Sequence, residues 1–206
     1  MKVLLINGSP NAKGCTYTAL LEVEKTLKEE NIETEIFQIG SKPVQGCTAC
    51  RKCAELGKCV FDDIVNELAQ KAKNFDGFIF GSPVYYAAAN GAFTALLNRL
   101  FFSGSKSFYL KPAAAVASAR RAGTTVTLDQ INRYFTISQM PVVPSQYWNM
   151  VHGNKPEDVL KDEEGLQTMR TLGRNMAWML KSIEAGKTAG VVLPKTEERL
   201  RTNFIR

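Results

Sequence analysis

Residues 2–27 read KVLLINGSPNAKGCTYTALLEVEKTL. The opening run, Val3-Leu4-Leu5-Ile6, is apolar without alternation, the pattern of a strand buried on both faces. A loop rich in Gly, Ser and Pro follows. From about Thr16 the apolar residues Leu20, Val23 and Leu27 recur at helical spacing. Strand, loop and helix in this order form the first half of a strand–helix–strand unit, whose next strand lies parallel because a helix makes the crossover.

The same alternation continues along the chain. Residues 34–39 predict a strand, 62–73 a helix, 77–81 a strand ended by Ser82-Pro83, and a helix starts at about Asn90. Residues 113–118 give a small-residue strand, and Leu128, Ile131 and Phe135 mark the next helix. A short strand is expected over about 140–144 and a long helix over about 162–185. The sum is an α/β fold: a flavodoxin-like three-layer sandwich with a five-stranded parallel sheet, whose ligand crevice lies beyond the carboxyl ends of the strands. Residues 1–185 read as one domain, and residues 186–206 as a C-terminal extension without a core pattern.

Composition narrows the function. The formal net charge is +6, but the excess is spread out and no block of like charge appears; nucleic acid is not expected as a partner. No run approaches a membrane span and no secretory pattern opens the sequence, so a cytoplasmic protein without a membrane partner is expected. His152 is the only histidine, which argues against histidine-dependent nucleophilic catalysis and multi-histidine metal sites.

In such a sheet the loops after the first, third and fourth strands ring the crevice. The first is Gly8-Ser9-Pro10-Asn11-Ala12-Lys13-Gly14-Cys15-Thr16. Hydroxyls, glycines and a helix N-terminus suit a phosphate; a plain turn with Thr16 as N-cap is the alternative. The second is Gly81-Ser82-Pro83-Val84-Tyr85-Tyr86, whose rings either flank a flat heteroaromatic ligand or pack on the fold. The third is Ser118-Ala119-Arg120-Arg121-Ala122-Gly123. Its arginines either neutralise phosphates or a reduced ring, or are exposed loop charges.

The motifs GSPNAKGCT and SPVYYAAANGAFTALLNRL together resemble the NADPH-dependent FMN reductase family of flavodoxin-like flavoproteins. Cys15 stands where that family commonly has asparagine, and Asn98-Arg99 where it commonly has Asp-Arg. The resemblance implies that Ser9, Asn11, Cys15 and Thr16 cradle the FMN phosphate. It implies that Pro83, Val84, Tyr85 and Tyr86 lie along the ribityl chain and isoalloxazine, and that Ser118, Arg120, Arg121 and Gly123 line the pyrimidine edge. Electrons would pass from NADPH or NADH through FMN to a flavin, quinone, nitro compound or redox protein, with Arg120 as the catalytic side chain. A homodimer or homotetramer is implied, and residues 145–153 would cover the flavin or the interface, or simply pack.

Cys47, Cys50, Cys53 and Cys59 form C-x2-C-x2-C-x5-C. Overlapping C-x2-C thiols on one short loop suit a cubane cluster better than zinc, which more often takes two separated pairs. The spacing is similar to that of the iron-sulfur flavoproteins, relatives of the reductases that carry a [4Fe-4S] cluster at this place in the fold. Free thiols are the other reading. With a cluster, the chain becomes an electron relay, and a flavodoxin-type carrier between proteins is the rival to an enzyme.

Overall fold

A computed structural model describes residues 1–198, 200–202 and 204. Its strands are β1 (Lys2–Asn7), β2 (Glu33–Gln38), β3 (Gly77–Tyr85), β4 (Ala88–Ala89), β5 (Ala113–Ala119) and β6 (Met150–His152). The principal helices are α1 (Cys15–Glu29), α3 (Ile64–Lys71), α4 (Gly91–Gly104), α5 (Thr124–Ile137) and α7 (Glu163–Thr188). Single turns α2 (Cys53–Leu56) and α6 (Pro156–Val159) complete the set. The main sheet runs β2-β1-β3-β5-β6 with all its pairs parallel, and β4 pairs antiparallel with β3. This is the flavodoxin-like strand order expected from the alternation of elements.

Alternating strand residues feed two cores. Leu4, Ile6, Phe78 and Phe80 point toward α3, α4 and α5, where Leu68, Phe93, Leu100, Ile131 and Phe135 meet them. Val3, Leu5, Ile79 and Val116 point toward α1 and α7, against Leu20, Val23, Met169 and Met176. Each such burial contributes roughly 1.5–3 kcal/mol before chain entropy is set against it. The alanines of β5 leave room for large neighbours: the Phe80 and Phe135 rings lie 5.1 Å apart and those of Phe78 and Phe108 4.7 Å apart.

Three boundaries differ from the sequence expectation. Ser82-Pro83 does not end the third strand; β3 continues to Tyr85. β1 stops opposite Gly81, so at Pro83 only β5 is paired with β3, an edge-like setting in which a missing N–H is tolerated. Beyond it, Val84 and Tyr85 pair with Ala89 and Ala88 across a hairpin turn at Tyr86 and Ala87, whose φ values are +50° and +57°. The fifth strand is not 140–144. Val142 makes only an isolated bridge to Ala113, because Pro141 and Pro144 interrupt the ladder, and pairing resumes at Met150–His152 against Ala117–Ala119. Helix α7 runs through Gly186 to Thr188, and the described residues beyond Gly190 have no regular structure and are exposed.

Gly8 fixes how the first loop leaves the sheet. Its N–H donates to the Gly81 carbonyl at 2.7 Å. A Cβ there would stand 2.6 Å from both that oxygen and the Phe93 ring, so only glycine lets the ends of β1 and β3 approach this closely.

Candidate active site

The carboxyl ends of β1, β3 and β5 open into one cleft. Its walls are Ser9, Asn11, Gly14, Cys15 and Thr16 from the first loop; Pro83, Val84 and Tyr85 from the second; Ser118, Ala119 and Arg120 from the third. Gly153 and Asn154, just after β6, close it. The topology alone brings these segments together, since parallel strands end on one edge and their outgoing loops share it.

The first loop is held from beneath. The Asn7 carboxamide accepts from the Ser9 N–H at 3.1 Å and donates to Gln38 Oε1 at 2.5 Å, and Gln38 Nε2 donates to the Ser9 carbonyl at 2.6 Å. Ser9 Oγ accepts from the Asn11 N–H at 3.1 Å, which tightens the turn. Helix α1 starts at Cys15, with Gly14 as N-cap, no side-chain cap and no acidic residue in its first turn. Its positive dipole end therefore reaches the cleft uncompensated by the chain itself. Thr16 lies inside that first turn rather than capping it. It is buried, and its hydroxyl shares a 2.8 Å hydrogen bond with Ser118 Oγ, tying the first loop to the third.

Cys15 Sγ donates to the Gly153 carbonyl at 3.6 Å. Burial pushes this thiol above its ordinary pKa, opposed by a backbone hydrogen bond and reinforced by Asp158 and Glu157. It is a neutral donor at physiological pH. Tyr85 is half exposed on the cleft wall, whereas Tyr86 is fully exposed at the hairpin tip and lines no part of the cleft. Arg120 lines the cleft. Arg121 does not; its carbonyl oxygen lies 3.1 Å from His152 Nε2. Neither arginine makes an ion pair among the described residues. Gly123 stands behind the wall at φ +94°, where a Cβ would meet Ala87 Cα and Val84 Cγ1 at 2.7 Å; it seats the third loop against the β3–β4 hairpin.

Cys47, Cys50, Cys53 and Cys59 line a second, smaller cavity, together with Thr48, Arg51, Val60, Phe61, Arg99, Phe102 and Ser103. All four thiols are free. Burial pushes Cys53 above its ordinary pKa, and its neighbours Cys50, Cys59 and Cys47 add to the shift. Ala49 and Arg51 hold φ values of +54° and +59°, the local backbone form that turns N–H groups inward around many iron–sulfur centres. Among the described residues, no three His, Cys, Asp or Glu side chains stand close enough to hold a single metal ion. A cubane spreads its four sulfur ligands over a wider tetrahedron than one ion does. Four thiols lining one cavity are the donor set that such a cluster takes.

The family model described as NADPH-dependent FMN reductase matches residues 1–155. The chain belongs to the NADPH-dependent FMN reductase family. An iron-sulfur flavoprotein of Methanocaldococcus jannaschii is 35% identical over 89% of this chain and 100% of that protein. Another iron-sulfur flavoprotein, from Methanosarcina thermophila, is 30% identical over 91% of this chain and 99% of its own length. An archaeal flavodoxin superposes with a TM-score of 0.59 at 15% identity, over 88% of this chain and 99% of the flavodoxin, and shares the fold. As a family member the chain is an FMN-dependent oxidoreductase, and its cleft carries what FMN requires: buried hydroxyls, an uncapped helix N-terminus for the phosphate, and an aromatic wall for the ring. No helix among the described residues is long and apolar enough to cross a membrane.

Gly14 and Ala119 belong to the first and third loops that the sequence marked out, and both line the cleft. Asn154 was missed because the fifth strand was sought at 140–144, which put its outgoing loop in the wrong place; Gly153, the last residue of the segment 145–153, lines the cleft. Arg99 was marked only within Asn98-Arg99, where the family commonly has Asp-Arg. Its guanidinium is buried at the cysteine cavity and pairs bidentately with Asp63, at 2.6 and 2.9 Å.

Proposed function

We propose that the chain holds FMN in the cleft, takes electrons from NADPH or NADH, and passes them to a second flavin, a quinone, a nitro compound or a redox protein. The observation that carries this reading is the convergence of the loops after β1, β3 and β5 on one cleft, with α1's uncapped N-terminus among its walls. FMN supplies the redox chemistry when bound, and the protein orients it. Ser9, Asn11, Cys15 and Thr16 gather donors for the phosphate, while the Thr16–Ser118 bond keeps the first and third loops in register. Pro83, Val84 and Tyr85 form an apolar and aromatic wall for the ring. Arg120 offers an unpaired cation to the ring's pyrimidine edge or to the nicotinamide cofactor's phosphates.

A second reading is favoured by the four-thiol cavity and by the iron-sulfur flavoprotein relatives. In it Cys47, Cys50, Cys53 and Cys59 hold a [4Fe-4S] cluster that exchanges electrons with the flavin. Helix α4 joins the two places. The N–H of its N-cap residue Asn90 donates to Ser82 Oγ below the cleft, and Arg99 stands about 13 Å further along the axis. Five free thiols suit a reducing compartment, and we place the protein in the cytoplasm. A homodimer or homotetramer is proposed as well, with the exposed Tyr147–Trp148 pair, whose ring centroids lie 4.8 Å apart, as a contact.

Anaerobic mixing of the flavin-loaded protein with NADPH and with NADH separates enzyme from carrier. The expected result is rapid bleaching of the flavin's visible absorption by at least one nucleotide. Bleaching only by a reduced redox protein, and by neither nucleotide, replaces the enzyme with a carrier.

A further inference from the structure

Arg99 is 2% exposed, and each of its five N–H groups has an acceptor. Nη1 donates to Asp63 Oδ2 at 2.6 Å and to the Gln45 carbonyl at 3.2 Å. Nη2 donates to Asp63 Oδ1 at 2.9 Å and to the Phe61 carbonyl at 3.2 Å. Nε donates to Cys59 Sγ at 3.2 Å. The guanidinium also lies over the Phe61 ring, 5.0 Å from its centroid. One side chain on α4 thus grips the cysteine segment just before Cys47 and again at and after Cys59.

The cysteines are held unequally. Asn66 receives the Cys59 N–H at 3.0 Å and donates to the Cys59 carbonyl at 2.9 Å. Arg99 adds a bond to the sulfur, so Cys59 is fixed by both its backbone and its thiol. Cys47 and Cys50 are exposed, on backbone outside any helix or strand. Plain packing would be served by a leucine at this position of α4. A buried cation aimed at a cysteine sulfur has an electrostatic consequence as well: it stabilises negative charge on that sulfur.

We propose that Arg99 is a positioning residue for the cysteine centre: it holds the Cys59 sulfur as a preset ligand, closes the loop around the other three thiols, and raises the reduction potential of the cluster. This rests on the cluster reading above. An N–H···S bond and a nearby positive charge both favour the more negative, reduced form of a cluster, so removing them lowers the potential. Asp63 orients the guanidinium through its bidentate bridge.

The test uses anaerobically purified holoprotein: wild type, Arg99→Lys and Asp63→Asn. Iron, acid-labile sulfide and FMN are counted per chain, iron release to a chelator is timed, and the cluster midpoint is read by redox titration followed by electron paramagnetic resonance. Lysine keeps the charge but lacks the fork, so it cannot bridge Asp63 and reach Cys59 together. In Arg99→Lys the expected result is a more negative midpoint and at least fivefold faster iron loss, with FMN content unchanged. Asp63→Asn, which leaves Arg99 in place but loosens it, should speed iron loss by less, and because it removes a negative charge its midpoint should move the other way, to a less negative value. It also carries the test should Arg99→Lys fail to fold. A wild type with iron, together with variants of unaltered midpoint and release rate, overturns the role of Arg99 alone. A wild type with FMN but no iron overturns the cluster reading, and the Arg99 proposal falls with it.

Discussion

The cleft and the cysteine cavity are built by opposite means. The cleft is assembled by topology: three parallel strands end together, their loops meet, and short hydrogen bonds such as Thr16–Ser118 and Gln38–Ser9 lock them. The cavity rests on a segment of irregular backbone between β2 and α3, fastened to the core chiefly by the guanidinium of Arg99 and the carboxamide of Asn66. A site made by the sheet inherits the sheet's rigidity. A site made by a loop depends on a few polar clamps, and losing one should matter more than losing any single cleft contact.

If the two sites are this independent, changes in one should leave the other intact. On the proposed cluster reading, the largest expected effect is in Cys50→Ser. Cys50 is exposed and belongs to no hydrophobic core, so the variant should lose its iron and sulfide entirely while binding FMN at the wild-type ratio. Loss of FMN as well, measured by flavin release on denaturation, breaks the separation. Next comes Gly8→Val. The added side chain meets the Gly81 carbonyl and the Phe93 ring, each 2.6 Å from the new Cβ. A destabilisation of about 3 kcal/mol by denaturant unfolding is expected, with loss of FMN. Arg120→Ala should be milder: reduction of bound FMN by nicotinamide about tenfold slower, roughly 1.4 kcal/mol in the barrier, with stability within about 0.5 kcal/mol of wild type. Stopped-flow rates that match wild type remove Arg120 from the reaction.

The smallest effect concerns Cys15. Its folded-state pKa lies above the ordinary 9.0, chiefly through burial. For a group raised in this way, the contribution to stability is complete below about pH 9 and is lost as pH rises through the folded value. Alkylation of Cys15 by iodoacetamide should thus be slower than that of a free thiol at pH 8, and its rate should still be rising with pH where that of a free thiol has levelled off. A Cys15 that reacts at the free-thiol rate at pH 8 contradicts its burial.

Much of the cleft was legible before any coordinates, because the run Val3–Ile6 and the helix behind it commit the chain to parallel strands, and parallel strands commit their outgoing loops to one edge. The failures have physical causes. Tyr85 and Tyr86 were read as a pair, but neighbours at the end of a strand point in opposite directions, and the hairpin turn carries Tyr86 into solvent. Arg120 and Arg121 divide in the same way, one side chain on the cleft and one carbonyl on His152. Pro141 and Pro144 moved the last strand to Met150–His152 and hid Asn154. Arg99 was illegible for a different reason. Nothing in the sequence around it marks a partner, and only the fold reveals that the cysteine segment packs against that part of α4.

The central claim is that the cleft is a cradle for a flavin phosphate, and calorimetric titration of the flavin-free protein with FMN and with riboflavin tests it most directly. The two ligands differ only in the phosphate. FMN should bind at least about 100-fold more tightly, a difference of roughly 2.7 kcal/mol assigned to the first loop and the α1 N-terminus. Equal affinities, or no binding of either ligand, contradict it.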